Sequence, residues 1–327
     1  MMPVATARKR QISLSNTRYY HCISRCVRRA YLCGIDTQTG KSYEHRRDWV
    51  EERLLFLAKV FCIDICAYAV MSNHTHLVLY IDNKKANRLT DRAVCIRWHK
   101  AFKGTNVSKR YLDGESLSDI EKMLLKHSIV KFRNRLKDIS WFMRSLNENI
   151  ARQANKEDDC TGRFWEGRFK SQALLDEPAL LACMAYVDLN PIRAKVSQSI
   201  QTSSFTSIKK RIEHAIAGNQ PKFLAKFVGK LSQKISKGLP FEFKNYLELV
   251  EQTGKCIRAD KPGYINQSTT PILKTLNITE KNWLKLTTRF TKIFHGAVGK
   301  AENIEIYCNN QHFKRRPNIK NSQALTA

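Results

Sequence analysis

Residues 63–81 read IDICAYAVMSNHTHLVLYI: two short β-rich runs separated by the polar turn Ser72-Asn73. Parallel strands need a crossover of a dozen or more residues, and this join has no room for one, so the runs pair antiparallel as a hairpin. The two-residue period of a strand sends His74 and His76 to the same face, a few ångströms apart. Leu77, Val78 and Leu79 follow directly and give the second strand a buried character that holds both imidazoles in place.

Working outward from this hairpin, residues 19–27 (YYHCISRCV) are aromatic and β-branched with rough alternation and suit a strand. Residues 47–62 place Trp49, Leu54, Leu57, Ala58 and Phe61 at helical spacing. On the C-terminal side, 85–103, 117–137 and 140–156 read as helices, broken at Gly104 and at the Gly-Glu-Ser segment 114–116. A loop over 158–170 leads to a further strand at 171–175. Asp176 then caps a helix, with Pro178 in its first turn, running through Tyr186 to about Asn190, where Pro191 disfavours continuation.

The order strand, helix, strand, strand, helix, strand predicts an α+β fold. We expect a ferredoxin-like split βαβ arrangement, an antiparallel sheet with helices on one face, interrupted by a helical insertion at about 105–160. We place this catalytic domain at 1–196. A composition richer in Lys, Ser and Gln predicts a basic, mainly helical C-terminal unit over 197–300, and the polar stretch 301–327 reads as a disordered tail. No internal repeat is evident.

The 327 residues carry 57 Lys and Arg against 29 Asp and Glu, a net charge of +28. The excess is even, 35 basic against 21 acidic residues in 1–196 and 22 against 8 in 197–327. A polyanion such as nucleic acid is the natural counterpart of such a surface, and an amphipathic membrane helix would concentrate the charge instead of spreading it. The ten cysteines never form a CxxC pair and lie mostly among apolar neighbours, as reduced core residues do. The start lacks a signal-peptide core and no later stretch offers about 18 uncharged apolar residues, so the expected location is cytoplasmic and nucleoid-associated, without membrane contact.

Two clusters carry chemistry. His74 and His76 suit one divalent metal, although two histidines on the solvent face of a hairpin show the same spacing. Tyr186 and Asn190 are neighbours on one helix face, a phenol and an amide able to meet the same metal or phosphate. The plainer alternative packs Tyr186 in the core and leaves Asn190 to end the helix before proline. Arg163, Trp165 and Arg168 lie in GRFWEGRF (162–169), which interleaves aromatics with arginines as single-strand binding surfaces do; a core-anchoring aromatic cluster under a loop has the same composition. Residues 271–284 suggest a short helix, a turn and a capped second helix, a pattern shared by helix-turn-helix modules and ordinary helical hairpins. Lysines 222, 226, 230, 234 and 237 fall near four-residue spacing on an expected helix, as a DNA-binding or merely solvated face.

MSNHTHLVLY resembles the His-hydrophobe-His motif of HUH endonucleases, with Thr75 where a bulky hydrophobe is usual. The stretch RFWEGRFKSQALLDEPALLACMAYVDLNPIRAKV closely resembles the region around the catalytic tyrosine of the REP-associated tyrosine transposases, and YYHCISRCVRRAYL is similar to that family's opening strand. The resemblance covers roughly 17–200 outside the insertion. It implies a ferredoxin-like fold, a monomer or homodimer, Tyr186 as nucleophile, and His74, His76 and Asn190 as ligands of Mg²⁺ or Mn²⁺. It further implies cleavage and rejoining of single-stranded DNA beside palindromic hairpins through a 5′-phosphotyrosine. That chemistry needs basic side chains on the flanking phosphates, for which Arg25, Arg163 and Arg168 are candidates. A DNA binder that keeps the fold without cutting is the alternative of a different class; a relaxase or rolling-circle initiator is a third, with other motif orders.

Overall fold

The computed structural model describes residues 11–27, 31–229, 237–258, 270–313 and 315–325. Its elements are, in chain order, β1 (Tyr19–Arg25), α1 (Arg46–Val60), β2 (Ile63–Val70), β3 (His74–Ile81), α2 (Asn83–Arg88), α3 (Asp91–Ala101), α4 (Asn106–Asp113), α5 (Asp119–Arg135), α6 (Ile139–Glu157), β4 (Lys170–Leu174), α7 (Glu177–Asp188), α8 (Asn190–Arg193), α9 (Ser207–Ile216), α10 (Phe243–Arg258), α11 (Thr270–Thr275), α12 (Glu280–Ile293), β5 (Ala297–Val298), α13 (Ala301–Asn310) and α14 (Ile319–Ser322). The fold is α+β. Among the described residues no helix is long and apolar enough to cross a membrane.

The five strands run in the order β2-β3-β1-β4-β5. β1 pairs antiparallel with β3 on one side and β4 on the other, which is the split βαβ order the sequence leads one to expect. The hairpin forms where predicted, closed by Met71 N–H donating to the His74 carbonyl at 2.9 Å. β5 corrects the expectation of a purely antiparallel sheet: it pairs parallel with β4, Ala173 opposite Ala297 and Leu174 opposite Val298. A two-residue strand is too short to show a period, and its parallel direction follows from the long excursion that precedes it.

The chain divides into two compact units. One comprises Met1–Asp48, Ile65–Tyr80 and Arg163–Ala327, the other Trp49–Asp64 and Ile81–Gly162. The second is wider than the insertion expected at 105–160, because aromatics that precede that range pack against aromatics within it. Trp98 stacks on Phe102 and Phe132 with ring centroids 4.2 and 4.6 Å away, and Phe61 meets Phe142 at 5.4 Å. Thr105 and Ser118 start α4 and α5 with capping boxes, each hydroxyl taking the third backbone N–H of its helix.

In the first unit, no boundary falls at residue 197. α12 packs along α7, and Trp283, Leu286 and Phe290 of α12 are fully buried in the same core as Leu181, Met184 and Val187 of α7. Burying that apolar face costs α12 its freedom to act as an independent recognition helix, so the helix-turn-helix reading of 271–284 describes local geometry only. Within 301–327, expected to be disordered, the described residues carry α13 with buried Ile304, Tyr307 and Cys308, and place Ala324 and Leu325 in the core. Scattered apolar residues in a polar stretch were enough to anchor it. Of the lysine series, 230 and 234 lie outside the described residues, and Lys222 and Lys226 sit in irregular backbone, not on a helix: Ala225 N–H donates to the Ile65 carbonyl and Leu239 N–H to that of Lys226.

The ten cysteines are unpaired thiols, all but Cys160 buried. Burial pushes the Cys33 thiol up to about 12 and that of Cys95 to about 11, which suits inert packing residues.

Candidate functional site

The register between β1 and its neighbours assembles the site. Arg25 lies opposite His74 and Ile23 opposite His76 on β3, while His21 lies opposite Gln172 on β4. Since alternate residues share a face, His21, Arg25, His74, His76 and Gln172 all project from one side of three adjacent strands. α7 supplies the tyrosine over that face. Asp176 caps this helix through the Ala179 N–H at 3.0 Å, and the Glu177–Asp188 body is buried along almost its whole length.

Tyr186 thereby meets the histidines. Its ring centroid lies 5.6 Å from that of His76, edge-on, and 6.4 Å from His21. The rings of His74 and His76 are 4.8 Å apart and perpendicular. Arg193 sits with its guanidinium carbon 3.8 Å over the tyrosine ring and donates to the carbonyls of Tyr186 and Thr287, both at 3.0 Å. The Tyr186 hydroxyl shares a hydrogen bond with Thr291 of α12 at 2.8 Å, and Phe290 lies 5.7 Å from the ring. The side chain is therefore only 7% exposed.

Burial disfavours the charged form of each imidazole. It pulls His21 down to about 4 against a hydrogen bond to Gln172 that works the other way, pulls His74 to about 4 with help from Arg25 and Arg193, and takes His76 well below the ordinary histidine range. All three are neutral near pH 7, the form that binds metal. His74 Nδ1 donates to Asn73 Oδ1 at 2.5 Å, which leaves Nε2 as its lone-pair nitrogen. His76 Nδ1 faces His21 Nε2 at 2.9 Å.

Asn190 does not continue the tyrosine's helix as expected. α7 ends at Asp188, Leu189 caps it, and Asn190 opens the four-residue turn α8 ahead of Pro191. The residue is buried and its amide Nδ2 has no hydrogen-bond partner. An unpartnered buried N–H₂ is costly unless a ligand accepts from it, so it points toward a phosphate oxygen; a cation beside the two imidazoles would have to take the amide oxygen Oδ1 instead. Among the described residues no group of three or more His, Cys, Asp and Glu side chains is disposed to hold a metal, so a cation here depends on that amide.

No family model matches this chain, and no curated protein does. The chain is similar to a solved structure of a REP-associated tyrosine transposase bound to a REP hairpin, at 12% identity over 68% of this chain and 92% of that chain, with a TM-score of 0.36. So little backbone superposes at that score that the likeness assigns neither activity nor site.

The expected DNA-contacting residues separate by burial. Arg163, Arg168 and Arg25 are all exposed, Arg25 in a 3.4 Å ion pair with Glu166, weak enough for a phosphate to displace. Trp165 is a correction. It is buried against Phe164, with centroids 5.0 Å apart, and its segment bridges to Cys26, so the aromatics of GRFWEGRF anchor the loop while its arginines face solvent.

Four cations went unread in the sequence. Lys281, Lys285, Arg289 and Lys292 are all exposed on α12, and positions i, i+4, i+8 and i+11 of a helix lie within one narrow stripe. Their spacing was legible; that the opposite face of the same helix is core was not. His21 and Gln172 were also missed, because only strand register brings them to His76.

Proposed function

We propose that this chain cuts and rejoins single-stranded DNA next to a hairpin, with Tyr186 as nucleophile and a divalent cation held by His74, His76 and Asn190. The observation that supports it is the placement of Tyr186 beside His76, 110 positions earlier in the chain, on a sheet face that presents neutral imidazoles.

A phenol has an ordinary pKa of about 10 and attacks poorly at neutral pH, so the phosphate must be made more reactive. When bound, the cation polarises the scissile phosphate. The rest is the work of the protein. Arg193 holds the tyrosine ring by its face, and Arg25, which shares the imidazole face, takes a flanking phosphate in this reading. The Tyr186 Oη–phosphorus bond forms, the phosphorus–O3′ bond breaks, and the phenolic proton passes through solvent to the freed 3′-oxygen. A 5′-phosphotyrosine keeps the energy of the diester, and attack on it by another 3′-hydroxyl rejoins DNA without ATP. Two neutral imidazoles and an amide bring no negative charge, which suits Mn²⁺ better than Mg²⁺, an ion that favours oxygen ligands.

A second reading, a hairpin-DNA binder that does not cut, is favoured by one feature: the tyrosine is covered and its hydroxyl already bonded to Thr291. Incubation with labelled single-stranded hairpin DNA from the flanks of its own gene and Mn²⁺ separates the two. Cleavage predicts an SDS-stable adduct lost in EDTA and in Tyr186→Phe. Tight binding with no adduct under any metal would establish the binder instead.

A further inference from the structure

We infer that Gln172 and His21 are positioning residues that fix the tautomer of His76, so that its Nε2 keeps a bare lone pair; this rests on the reading of His76 as a metal ligand. The hydrogen bonds allow one direction only. The Phe294 carbonyl can only accept, so Gln172 turns its amide Nε2 toward it at 2.6 Å. That leaves Gln172 Oε1, another pure acceptor, facing His21 Nδ1 at 2.7 Å, and His21 must carry its proton there. A neutral imidazole has a single N–H, so His21 Nε2 is bare, and His76 must donate to it from Nδ1 across 2.9 Å. The one N–H of His76 is spent, and Nε2 keeps its lone pair.

The relay crosses three strands, from Gln172 on β4 through His21 on β1 to His76 on β3, and begins on the residue that caps α12. His21, His76 and Gln172 are 0, 3 and 6% exposed, so water does not substitute for any partner. Reversing the direction would set two bare acceptors against each other at Gln172. His74 needs no such device, because the neighbouring Asn73 fixes it locally. Partners of this kind beyond the ligands are commonly worth 10- to 100-fold in metal affinity.

The first test uses the metal-free full chain with ¹⁵N-labelled histidine, reading the tautomer from long-range ¹H–¹⁵N correlations. We expect His76 as the Nδ1–H form; the Nε2–H form would overturn the relay whatever the metal does. The second titrates Mn²⁺ into wild type, Gln172→Met and Gln172→Glu, with thermal melts confirming that each is folded. Methionine keeps the length and removes both polar roles, and should weaken Mn²⁺ binding about 10- to 100-fold while mixing the His76 tautomers. A glutamic acid can still accept from His21 and, protonated, donate to Phe294, so it should restore affinity to within a few-fold. Unchanged affinity and an unchanged tautomer in Gln172→Met would overturn the relay and leave the metal reading standing. Absence of Mn²⁺ binding in wild type would overturn the metal reading, and the tautomer measurement would still decide the relay.

Discussion

The Tyr186 hydroxyl lies 2.8 Å from Thr291 Oγ1, so the candidate nucleophile of α7 is held by a helix more than a hundred residues further along the chain. If Tyr186 attacks phosphate, that hydrogen bond must break first. Thr291→Val keeps the β-branched shape and removes the partner. A typical net hydrogen bond is worth about 1 kcal/mol, so the variant should form the DNA adduct about fivefold faster. Adduct kinetics on denaturing gels measure this, and an unchanged or slower rate would show that Thr291 does not restrain the tyrosine.

The two proposed histidine ligands should separate in their effect on stability. Both His74→Ala and His76→Ala remove an imidazole and should lose Mn²⁺ binding. Only His76→Ala leaves a buried partner, His21 Nε2, without its hydrogen bond, which costs about 1–3 kcal/mol. Thermal melts of the metal-free proteins should show a clearly lower Tm for His76→Ala and a smaller change for the half-buried His74. Equal losses would mean that the His21 contact contributes little.

Asp188 gives a pH signature. Burial raises its carboxyl to about 6, against hydrogen bonds from Ser207 at 2.5 Å and Tyr246 at 2.6 Å that favour the charged form. With the folded value above the unfolded one of 3.8, the native state binds more protons between the two, so this group's contribution to stability falls as pH rises from about 4 to 6. The full swing is about 3 kcal/mol at about 1.4 kcal/mol for each pH unit. Denaturant melts of wild type and Asp188→Asn at pH 4 and pH 7 isolate it, because the other titrating groups, including the three buried histidines, cancel in the difference. The asparagine variant should be relatively more destabilised at the acid end; a pH-independent difference would refute the assignment.

The stripe on α12 should show in salt dependence. Replacing Lys281, Lys285, Arg289 and Lys292 together by Gln leaves the buried face intact. If each contacts one phosphate, the slope of log affinity against log salt for single-stranded DNA should fall by about 3, at about 0.7 per contact. Filter binding across salt concentrations reads it directly. An unchanged slope would make the stripe a solvated face.

Much of the frame was legible in the chain. The tight Ser72-Asn73 join forced an antiparallel hairpin, Asp176 announced the start of α7, and the alternation of His74 and His76 placed both on one face. These inferences depend on neighbours within a few residues, where period, capping chemistry and loop length decide the outcome. The same local reasoning failed at Trp165, where alternating aromatics and arginines fit both a stacking surface and a buried anchor, and at the C-terminal end, where a polar composition hid the few apolar residues that dock it.

By itself, then, the sequence determined the order of the first four strands, the shared face of the histidine pair, the excess of positive charge and the helix that carries Tyr186. Only the tertiary structure decided that His21 and Gln172 reach His76, that Arg193 and Thr291 close on Tyr186, and that α12 turns one face to the core and a row of cations to solvent. The reason is that strand register and helix docking are set by contacts between residues tens to hundreds of positions apart, where the hydrophobic energy of burying a whole face outweighs the local preferences that a sequence displays.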